Sequence, residues 1–465
     1  MRFAIYTLGC KVNQYETQAM EAELAGRGHT LVPFEAEADA YIINTCAVTA
    51  VSGHKSRQMI RQARKRGKNA LVAVCGCYAQ TETQAAAELD VDLVGGAGGR
   101  MAFLDDVERL TENKIMLTKG QGDGSSVLTG QEEPSPCPGP QPLITTENIM
   151  STRTFEELPA GGLSGRTRAM LKVEDGCVNF CSYCIIPYAR GPVRSLPLDR
   201  AAAEARRLME EGYKEIVVTG IEISSWGRDL PGKPPLADLI EAICAAAPSC
   251  RVRLGSLEPR TVTEDFCRRL SSLHNLCPHF HLSLQSGCDA TLKRMNRKYD
   301  TARFYESVEL LRKHYVNPGV TTDLIVGFPG EDEEEFGETL EFLKKCAFTA
   351  MHIFPYSRRP GTPADKMPGQ VPKAEKEERA HRVAAVAEEL RRSYLTSLVG
   401  QALPVLFEEA AEEASAPGGL SLYRGHAPNY VEVFAPSPIS LHNMEKLVQI
   451  TALIERGDGL VGMLL

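Results

Sequence analysis

The stretch Gly176-Cys177-Val178-Asn179-Phe180-Cys181-Ser182-Tyr183-Cys184 directly follows an apolar strand candidate at 169–173. Its cysteines are spaced C-x3-C-x2-C, so three thiolates on one tight loop can converge on a metal centre. A fourth coordination position has no local ligand. Iron–sulfur clusters are held by cysteine thiolates, and a three-cysteine site leaves one iron open. Structural zinc usually takes four ligands from two paired motifs. The sequence offers no second local pair and no matching His-x3-His, which favours iron–sulfur over zinc.

Downstream of that loop, apolar strand candidates recur at 215–219, 251–254, 279–284, 320–326 and 350–354, mostly separated by helical patterns. This rhythm suits a barrel or partial barrel of βα units. A long helical run rich in Ala, Glu and Arg follows at 373–398. Beyond it, short strand candidates at 403–407, 430–434, 446–453 and 460–464 suggest a small antiparallel barrel. Upstream, strands at 3–8, 40–44 and 70–74 alternate with helices at 13–27, 51–66 and 82–89, the pattern of a parallel sheet covered on its faces. Residues 119–142 are rich in Gly, Ser, Pro and Gln and read as a linker or long insertion.

The bulk numbers bound the reading. A chain of 465 residues is too long for one ordinary domain. With 52 Lys and Arg against 60 Asp and Glu, the net charge is −8, which excludes a strongly basic nucleic-acid binder but not a local basic patch. No apolar run reaches the ~18 residues of a membrane span. The start, Met-Arg-Phe-Ala-Ile-Tyr-Thr-Leu-Gly-Cys, does not read as a signal peptide. The expectation is a cytoplasmic protein with reduced thiols, free to bind metal.

A second cysteine set lies near the N-terminus. Cys10, in Thr-Leu-Gly-Cys-Lys-Val-Asn-Gln-Tyr-Glu, follows the first strand. Cys46, in Ile-Ile-Asn-Thr-Cys, follows another, and Cys77, in Cys-Gly-Cys-Tyr-Ala-Gln, a third. Ligands in open α/β sheets collect at these carboxyl ends. Singly, each reads as a buried structural cysteine; together, at equivalent strand ends, they read as a metal site. Cys75 complicates the set: on an extended strand it shares a side with Cys77.

C-x3-C-x-aromatic-C, with Tyr183 in the aromatic place, resembles the radical S-adenosylmethionine (SAM) signature. The resemblance implies that Cys177, Cys181 and Cys184 ligate three irons of a 4Fe-4S cluster, and that the fourth iron binds SAM. One electron then yields methionine and a 5′-deoxyadenosyl radical. The whole chain resembles the radical SAM methylthiotransferase family, most closely its MtaB-type tRNA enzymes. The words Thr-Leu-Gly-Cys-Lys-Val-Asn-Gln-Tyr-Glu, Lys-Ser-Arg-Gln-Met-Ile-Arg and Cys-Ile-Ile-Pro-Tyr-Ala-Arg-Gly carry this.

The implied fold class is α/β: a flavodoxin-like parallel-sheet domain at 1–113, a linker or insertion at 114–162, a partial (β/α)6 TIM-like radical SAM barrel at 163–394, and a small OB-like TRAM barrel at 395–465. On the resemblance Cys10, Cys46 and Cys77 hold an auxiliary 4Fe-4S cluster, with Cys75 a spare. The implied reaction puts a methylthio group on C2 of N6-threonylcarbamoyladenosine at tRNA position 37. The partners are tRNA and an external electron donor of flavodoxin or ferredoxin type; the chain is expected to be a monomer with no membrane. Relatives acting on isopentenyladenosine in tRNA, or on an aspartate of a ribosomal protein, share the cysteines. A redox-sensing RNA-binding protein with structural clusters is the alternative from another class.

The resemblance also implies SAM contacts: Tyr183; Gly220 and Glu222 in Thr219-Gly220-Ile221-Glu222; Ser256 and Glu258 in Arg253-Leu254-Gly255-Ser256-Leu257-Glu258-Pro259; Gln285; and Asp323 and Gly327 near the adenine. For RNA, 55–68 carries seven Lys or Arg and no acid. Arg57, Arg61, Arg64, Lys65 and Lys68 fall at helical spacing on one face, and such a patch can neutralise phosphates. A solvated charged face is the usual alternative. Lys293, Arg294, Arg297 and Lys298 form a second cluster. Tyr430 can stack on a base or belong to a core.

Overall fold

The computed structural model describes residues 1–120, 141–159, 167–416, 420–454 and 458–465. The chain divides into two compact units. One comprises 1–162 with 176–178 and 184–192; the other comprises 163–175, 179–183 and 193–465.

The first unit is a six-stranded parallel sheet: β1 Arg2–Thr7, β2 Thr30–Leu31, β3 Ala40–Thr45, β4 Leu71–Gly76, β5 Leu93–Val94 and β6 Leu143–Ile144, in the order β2-β1-β3-β4-β5-β6. Its helices are α1 Lys11–Gly26, α2 Ala50–Arg66, α3 Cys77–Thr81, α4 Thr83–Ala87 and α5 Arg100–Gly120. Strand side chains alternate between faces. Phe3, Ile42, Ala73 and Leu93 pack with Met20 and Leu24 of α1 and Leu104 of α5. Ala4, Ile43, Val74 and Val94 pack with Met59 and Ile60 of α2 and Tyr78 of α3. Helices on both faces and this strand order define a flavodoxin-like sheet, with its topological switch point where β1 and β3 lie side by side.

The expected helix at 82–89 is the short α4, and a further short helix, α3, precedes it and meets it at Glu82. Residues 143–144, within the stretch assigned to the linker, form the edge strand β6. Its neighbours also join this unit: the Tyr15 hydroxyl donates to the Leu158 carbonyl. The proline-rich part of the linker lies outside the described residues.

The second unit holds β7 Arg168–Lys172, the two-stranded antiparallel pair β8 Glu174–Asp175 and β9 Arg194–Ser195, then β10 Glu215–Thr219, β11 Arg251–Leu254, β12 Ser256–Leu257, β13 His279–Gln285, β14 Gly319–Val326 and β15 Ala350–Pro355. The parallel orders β11-β10-β7 and β12-β13-β14-β15 form the partial barrel. Short α6 Ile186–Arg190 belongs to the first unit; α7 Leu198–Glu210, α8 Leu236–Ala246, α9 Glu264–Leu270, α10 Asp289–Arg294, α11 Thr301–His314 and α12 Glu333–Cys346 connect the strands of the second. The six long strands lie where the apolar runs predict them.

α13 Lys373–Ser397 leads into a closed barrel of β16 Ala402–Ala416, β17 Leu420–His426, β18 Glu432–Ser437, β19 Glu445–Leu453 and β20 Leu460–Leu464. Leu395 and Leu398 enter its core beside Val405, Phe407, Val433 and Ile450. The strand β17 escapes the sequence reading because Leu-Ser-Leu-Tyr-Arg-Gly-His is half polar. The barrel is not wholly antiparallel: β18 and β20 run parallel, pairing Val433 with Leu460. A ring of five strands cannot alternate direction throughout, so one pair must run the same way.

The small barrel sits on the amino ends of the parallel strands. Arg253 chelates Glu215 at 2.8 and 2.9 Å and also donates to the Pro428 carbonyl at 2.8 Å. Arg251 donates to the carbonyls of His426 and Pro404 at 2.9 and 3.0 Å, and Arg168 pairs with Glu408. Burial alone would raise the Glu215 carboxyl, but Arg253, with Arg168 and Arg251, outweighs it and lowers the pKa to about 2. Its stabilisation is therefore full above the ordinary carboxylate range and is lost as pH falls from about 4.5 toward 2. Arg253→Ala leaves that buried charge without its main partner, at a cost of about 3–5 kcal/mol. The expected outcome is a lower thermal midpoint at neutral pH and acid unfolding that begins at higher pH, read by circular dichroism.

Candidate cluster and cofactor site

The first unit brings Cys10, Cys46 and Cys77 together at the switch point. Cys10 is the residue before α1, Cys46 follows β3, and Cys77 opens α3. A Cβ on Gly9 would lie 2.9 Å from Cys46 Sγ. Each thiol feels the charge of its neighbours: Cys46 on Cys10, Cys77 on Cys46 and Cys10 on Cys77. Cys46 and Cys77 are buried, Cys10 exposed. Burial pushes the Cys46 and Cys77 thiols up, and the positive charge of Arg190 acts in the opposite sense.

Gly76 separates Cys77 from Cys75. It ends β4 with φ of +96°, and a Cβ there would lie 2.5 Å from the Thr45 carbonyl oxygen. Only glycine takes this turn without strain. The chain therefore leaves the extended conformation between the two cysteines, and the expectation that they share a side is corrected. Cys75 packs with Phe3, Leu71 and Phe103 on one face of the sheet; Cys77 packs with Cys46 and Tyr78 on the other. Complete burial pushes the Cys75 thiol up to about 11.

Four polar residues surround the three cysteines. The Arg190 guanidinium, fully buried, donates to Cys77 Sγ at 3.3 Å, to Asn13 Oδ1 at 2.7 Å and to both oxygens of Glu16. Glu16 also accepts from buried Arg100 at 2.8 Å. Asn13 donates to the Leu8 and Thr45 carbonyls at 2.8 and 2.9 Å, tying the ends of β1 and β3. Three convergent thiols with a buried cation beside them are the donor set an iron–sulfur cluster takes, so the residues present fit that group. Sequence reasoning assigned no role to Asn13, Glu16 and Arg190, although all three stand inside the words that carried the resemblance; Arg100 carried no signal.

In the C-x3-C-x2-C loop, Gly176 has φ of +97°, and a Cβ there would lie 2.0 Å from the Pro192 carbonyl oxygen. The Cys177 amide donates to the Gly191 carbonyl at 3.0 Å. In the second unit, buried Cys181 accepts from Arg297 at 3.1 Å. Ser182 donates through its amide to the Met295 carbonyl and through its hydroxyl to the Arg294 carbonyl, at 3.0 and 2.8 Å. Cys177 and Cys184 are half-buried. The Tyr183 ring packs edge-on against Phe328 at 6.4 Å.

Most of the expected SAM contacts stand at or beyond the carboxyl ends of β10, β11 and β13. Gly220 makes room for Glu174: a Cβ would lie 2.9 Å from Glu174 Oε2, which accepts the Glu222 amide at 2.7 Å. Glu174 is fully buried, its Oε1 lacks a partner among the described residues, and burial raises its carboxyl well above the usual range. The Glu222 carboxylate accepts from the Ser224 amide and the Ser225 hydroxyl. Ser256 bonds Ser283 at 2.8 Å, Glu258 pairs with Arg260 at 2.8 Å, and Gln285 is buried with φ of +70°. Asp323 faces His281 Nε2 at 3.3 Å. The close approach at Gly327 is to Lys376, whose Cγ lies 2.2 Å from where a Cβ would stand; its missing side chain is accounted for by α13.

The basic candidates separate. Arg61, Lys65 and Lys68 are exposed, and Arg57 lies over the Tyr78 ring at 5.8 Å. Arg64 is consumed internally, donating to the Asp90 and Ala70 carbonyls and to Asp92 at 2.7 Å. Lys68 lies beyond the end of α2. In the second cluster, Arg294 pairs with Glu335 and Arg297 points into the unit, so the expected patch reduces to Lys293 and Lys298. The Tyr430 ring already carries stacked His279 and His426, at 4.8 and 4.9 Å, and the Arg253 guanidinium at 4.7 Å. It is part of the contact between the small barrel and the parallel strands.

A parallel βα barrel whose first strand runs into a C-x3-C-x2-C loop defines a radical SAM protein. The model of the radical SAM superfamily matches residues 171–343, and that of an uncharacterized protein family, UPF0004, matches residues 2–96. The threonylcarbamoyladenosine tRNA methylthiotransferase MtaB of Bacillus subtilis is 37% identical over 431 residues, covering 92% of this chain and 89% of that one. The protein of the same name from Thermotoga maritima is 37% identical over 405 residues, covering 87% and 86%. The tRNA-2-methylthio-N(6)-dimethylallyladenosine synthase of Oleidesulfovibrio alaskensis is 32% identical, covering 99% and 97%. Among solved structures, the radical SAM methyltransferase TsrM from Kitasatospora setae shares the fold, with a TM-score of 0.52 at 15% identity over 78% of this chain and 77% of that one. The chain belongs to the MtaB family of radical SAM methylthiotransferases. No helix among the described residues is long and apolar enough to cross a membrane.

The placement of the two neighbouring cysteines gives a direct test. Cys77→Ala is expected to lose about half of the reconstituted iron, one of two clusters, whereas Cys75→Ala keeps it. Iron and acid-labile sulfide analysis reads the difference; retention in Cys77→Ala with loss in Cys75→Ala overturns the assignment.

Proposed function

We propose that the chain adds a methylthio group to C2 of N6-threonylcarbamoyladenosine at position 37 of tRNA, using SAM and two 4Fe-4S clusters. The observation that carries this reading is the meeting of Cys10, Cys46 and Cys77 at neighbouring strand ends, with buried Arg190 bonded to Cys77, in a chain 37% identical over most of its length to an enzyme of that name. When bound, the clusters supply the electron and the sulfur chemistry that no acid–base pair can bring to a purine C2–H bond.

Cys177, Cys181 and Cys184 are the ligands of the SAM cluster, and Cys10, Cys46 and Cys77 those of the auxiliary one. Arg190 orients Cys77 and balances thiolate charge. Arg297 does the same for Cys181. Tyr183, Gly220, Glu222, Ser256, Glu258 and Gln285 line the SAM site, supported by their place at and around strand carboxyl ends; Gly327 joins them just past the end of β14, and Asp323 is set apart by its pairing with His281. An electron donor of flavodoxin or ferredoxin type completes the reaction. Arg61, Lys65 and Lys68 are exposed cations available for tRNA phosphates.

Nucleoside mass spectrometry of tRNA from a strain lacking the gene tests the substrate. The 2-methylthio threonylcarbamoyl nucleoside disappears and its unthiolated precursor accumulates; the wild-type gene restores it and Cys177→Ala or Cys77→Ala does not. Persistence of that nucleoside, with loss of the 2-methylthio isopentenyl nucleoside, overturns the reading. For RNA contact, Arg61→Gln and Lys65→Gln each flatten the dependence of log affinity on log salt by roughly 0.7–0.9. Arg64→Gln instead lowers thermal stability and leaves the slope unchanged, because its guanidinium is tied to Asp92.

A further inference from the structure

The inner surface of the parallel strands in the second unit carries a side-chain group, His281, Asp323 and His352, that supplies none of the proposed cluster ligands. On β14, Val320, Leu324 and Val326 are buried apolar residues, and the alternating positions Thr321 and Asp323 point the other way. On β13, Phe280, Leu282 and Leu284 are buried, and His279, His281 and Ser283 alternate with them. Register aligns the polar sets: Thr321 pairs with His281, and Asp323 with His352 on β15. His281, Asp323 and His352 thus share one face of three adjacent strands, and their ligand-type atoms all lie within 4.8 Å of one another.

We propose that His281, Asp323 and His352 bind a divalent first-row transition metal of the zinc or ferrous class, with a ligand set distinct from the six cluster cysteines. Two imidazoles and one carboxylate are the donors such ions take when further coordination positions stay open. The imidazole of His281 is prepared for the role. Its Nδ1 is 2.9 Å from Thr321 Oγ1, which leaves Nε2 toward Asp323 Oδ2 at 3.3 Å. A metal-binding histidine characteristically spends its other nitrogen on such a partner, which fixes tautomer and ring orientation. Thr321 Oγ1 is itself 3.3 Å from His279 Nε2. Asp323 has no lysine or arginine partner among the described residues; its ion-pair partner is His281.

The three ligands sit on rigid strands rather than loops, so the site is held before the ion arrives. His352 is exposed and His281 and Asp323 are half-buried. The ion is therefore reachable, and its remaining positions take oxygen ligands, whether water or a carboxylate. The proposal goes beyond the methylthio transfer and does not depend on which base is modified.

The test uses the full-length protein with both clusters reconstituted anaerobically, dialysed against a zinc salt and desalted. One zinc per chain is expected beyond the cluster iron. X-ray absorption at the zinc edge is expected to show nitrogen and oxygen neighbours at about 2.0–2.1 Å and no sulfur at about 2.3 Å. His281→Ala and His352→Ala each lose the zinc with cluster iron unchanged, which also reports that the variant is folded. Thr321→Val keeps all three ligands and binds zinc roughly 10–100-fold more weakly. Absence of zinc in the wild type, retention in the double variant His281→Ala/His352→Ala, or sulfur neighbours around the bound zinc overturns the proposal. Loss of tRNA modification in the deletion strain bears on the proposed function alone, so the two fail separately.

Discussion

Parallel strand pairing is the constraint on which both units rest. Strands that run the same way place all their carboxyl ends on one edge, and the crossover between them must cover a face. In the first unit this brings the ends of β1, β3 and β4 side by side, so Cys10, Cys46 and Cys77 meet although they are far apart in sequence. In the second unit the same rule gathers Gly220, Ser256, Glu258 and Gln285. The amino ends of those strands are taken up by the small barrel, through Arg168, Arg251 and Arg253. One edge of the sheet is structural and the other is left for chemistry.

Charge inside the first unit is balanced locally. A buried carboxylate or guanidinium costs several kcal/mol unless paired, and Glu16, Arg100 and Arg190 are all fully buried. Glu16 serves both arginines, leaving Arg190 one edge for Asn13 and one for Cys77. The geometry is that of a planar fork with several donors in fixed directions, which lysine does not offer. The same guanidinium that closes this network also bonds the Cys77 thiol, so packing and the cysteine set draw on one residue.

A basic run in sequence is not a basic surface. Helical spacing puts Arg64 with Arg57 and Arg61, yet Arg64 bridges Asp92 and two carbonyls. Arg294 and Arg297 lie in a cationic word and are spent on Glu335 and Cys181. Guanidinium groups find carbonyl and carboxylate partners across the chain, and periodicity carries no information about those partners. Tyr430 teaches the same lesson for aromatics: its stacking partners are His426 and His279, the latter far from it along the chain.

The sequence by itself determined the class of fold, the six long barrel strands and the two cysteine sets. Apolar runs bounded by turns report burial directly, and cysteine spacing within one loop is a local fact. It did not determine the barrel strand β17, whose pattern is half polar, or the edge strand β6, which consists of two residues beside a linker. Only the tertiary structure set Cys75 and Cys77 on opposite faces of the sheet, through the positive φ of Gly76 beside the Thr45 carbonyl of a neighbouring strand. It alone placed Arg190 against Glu16 and aligned His281, Asp323 and His352. Those groupings depend on strand register and on residues distant in the chain, and neither is written in any local pattern.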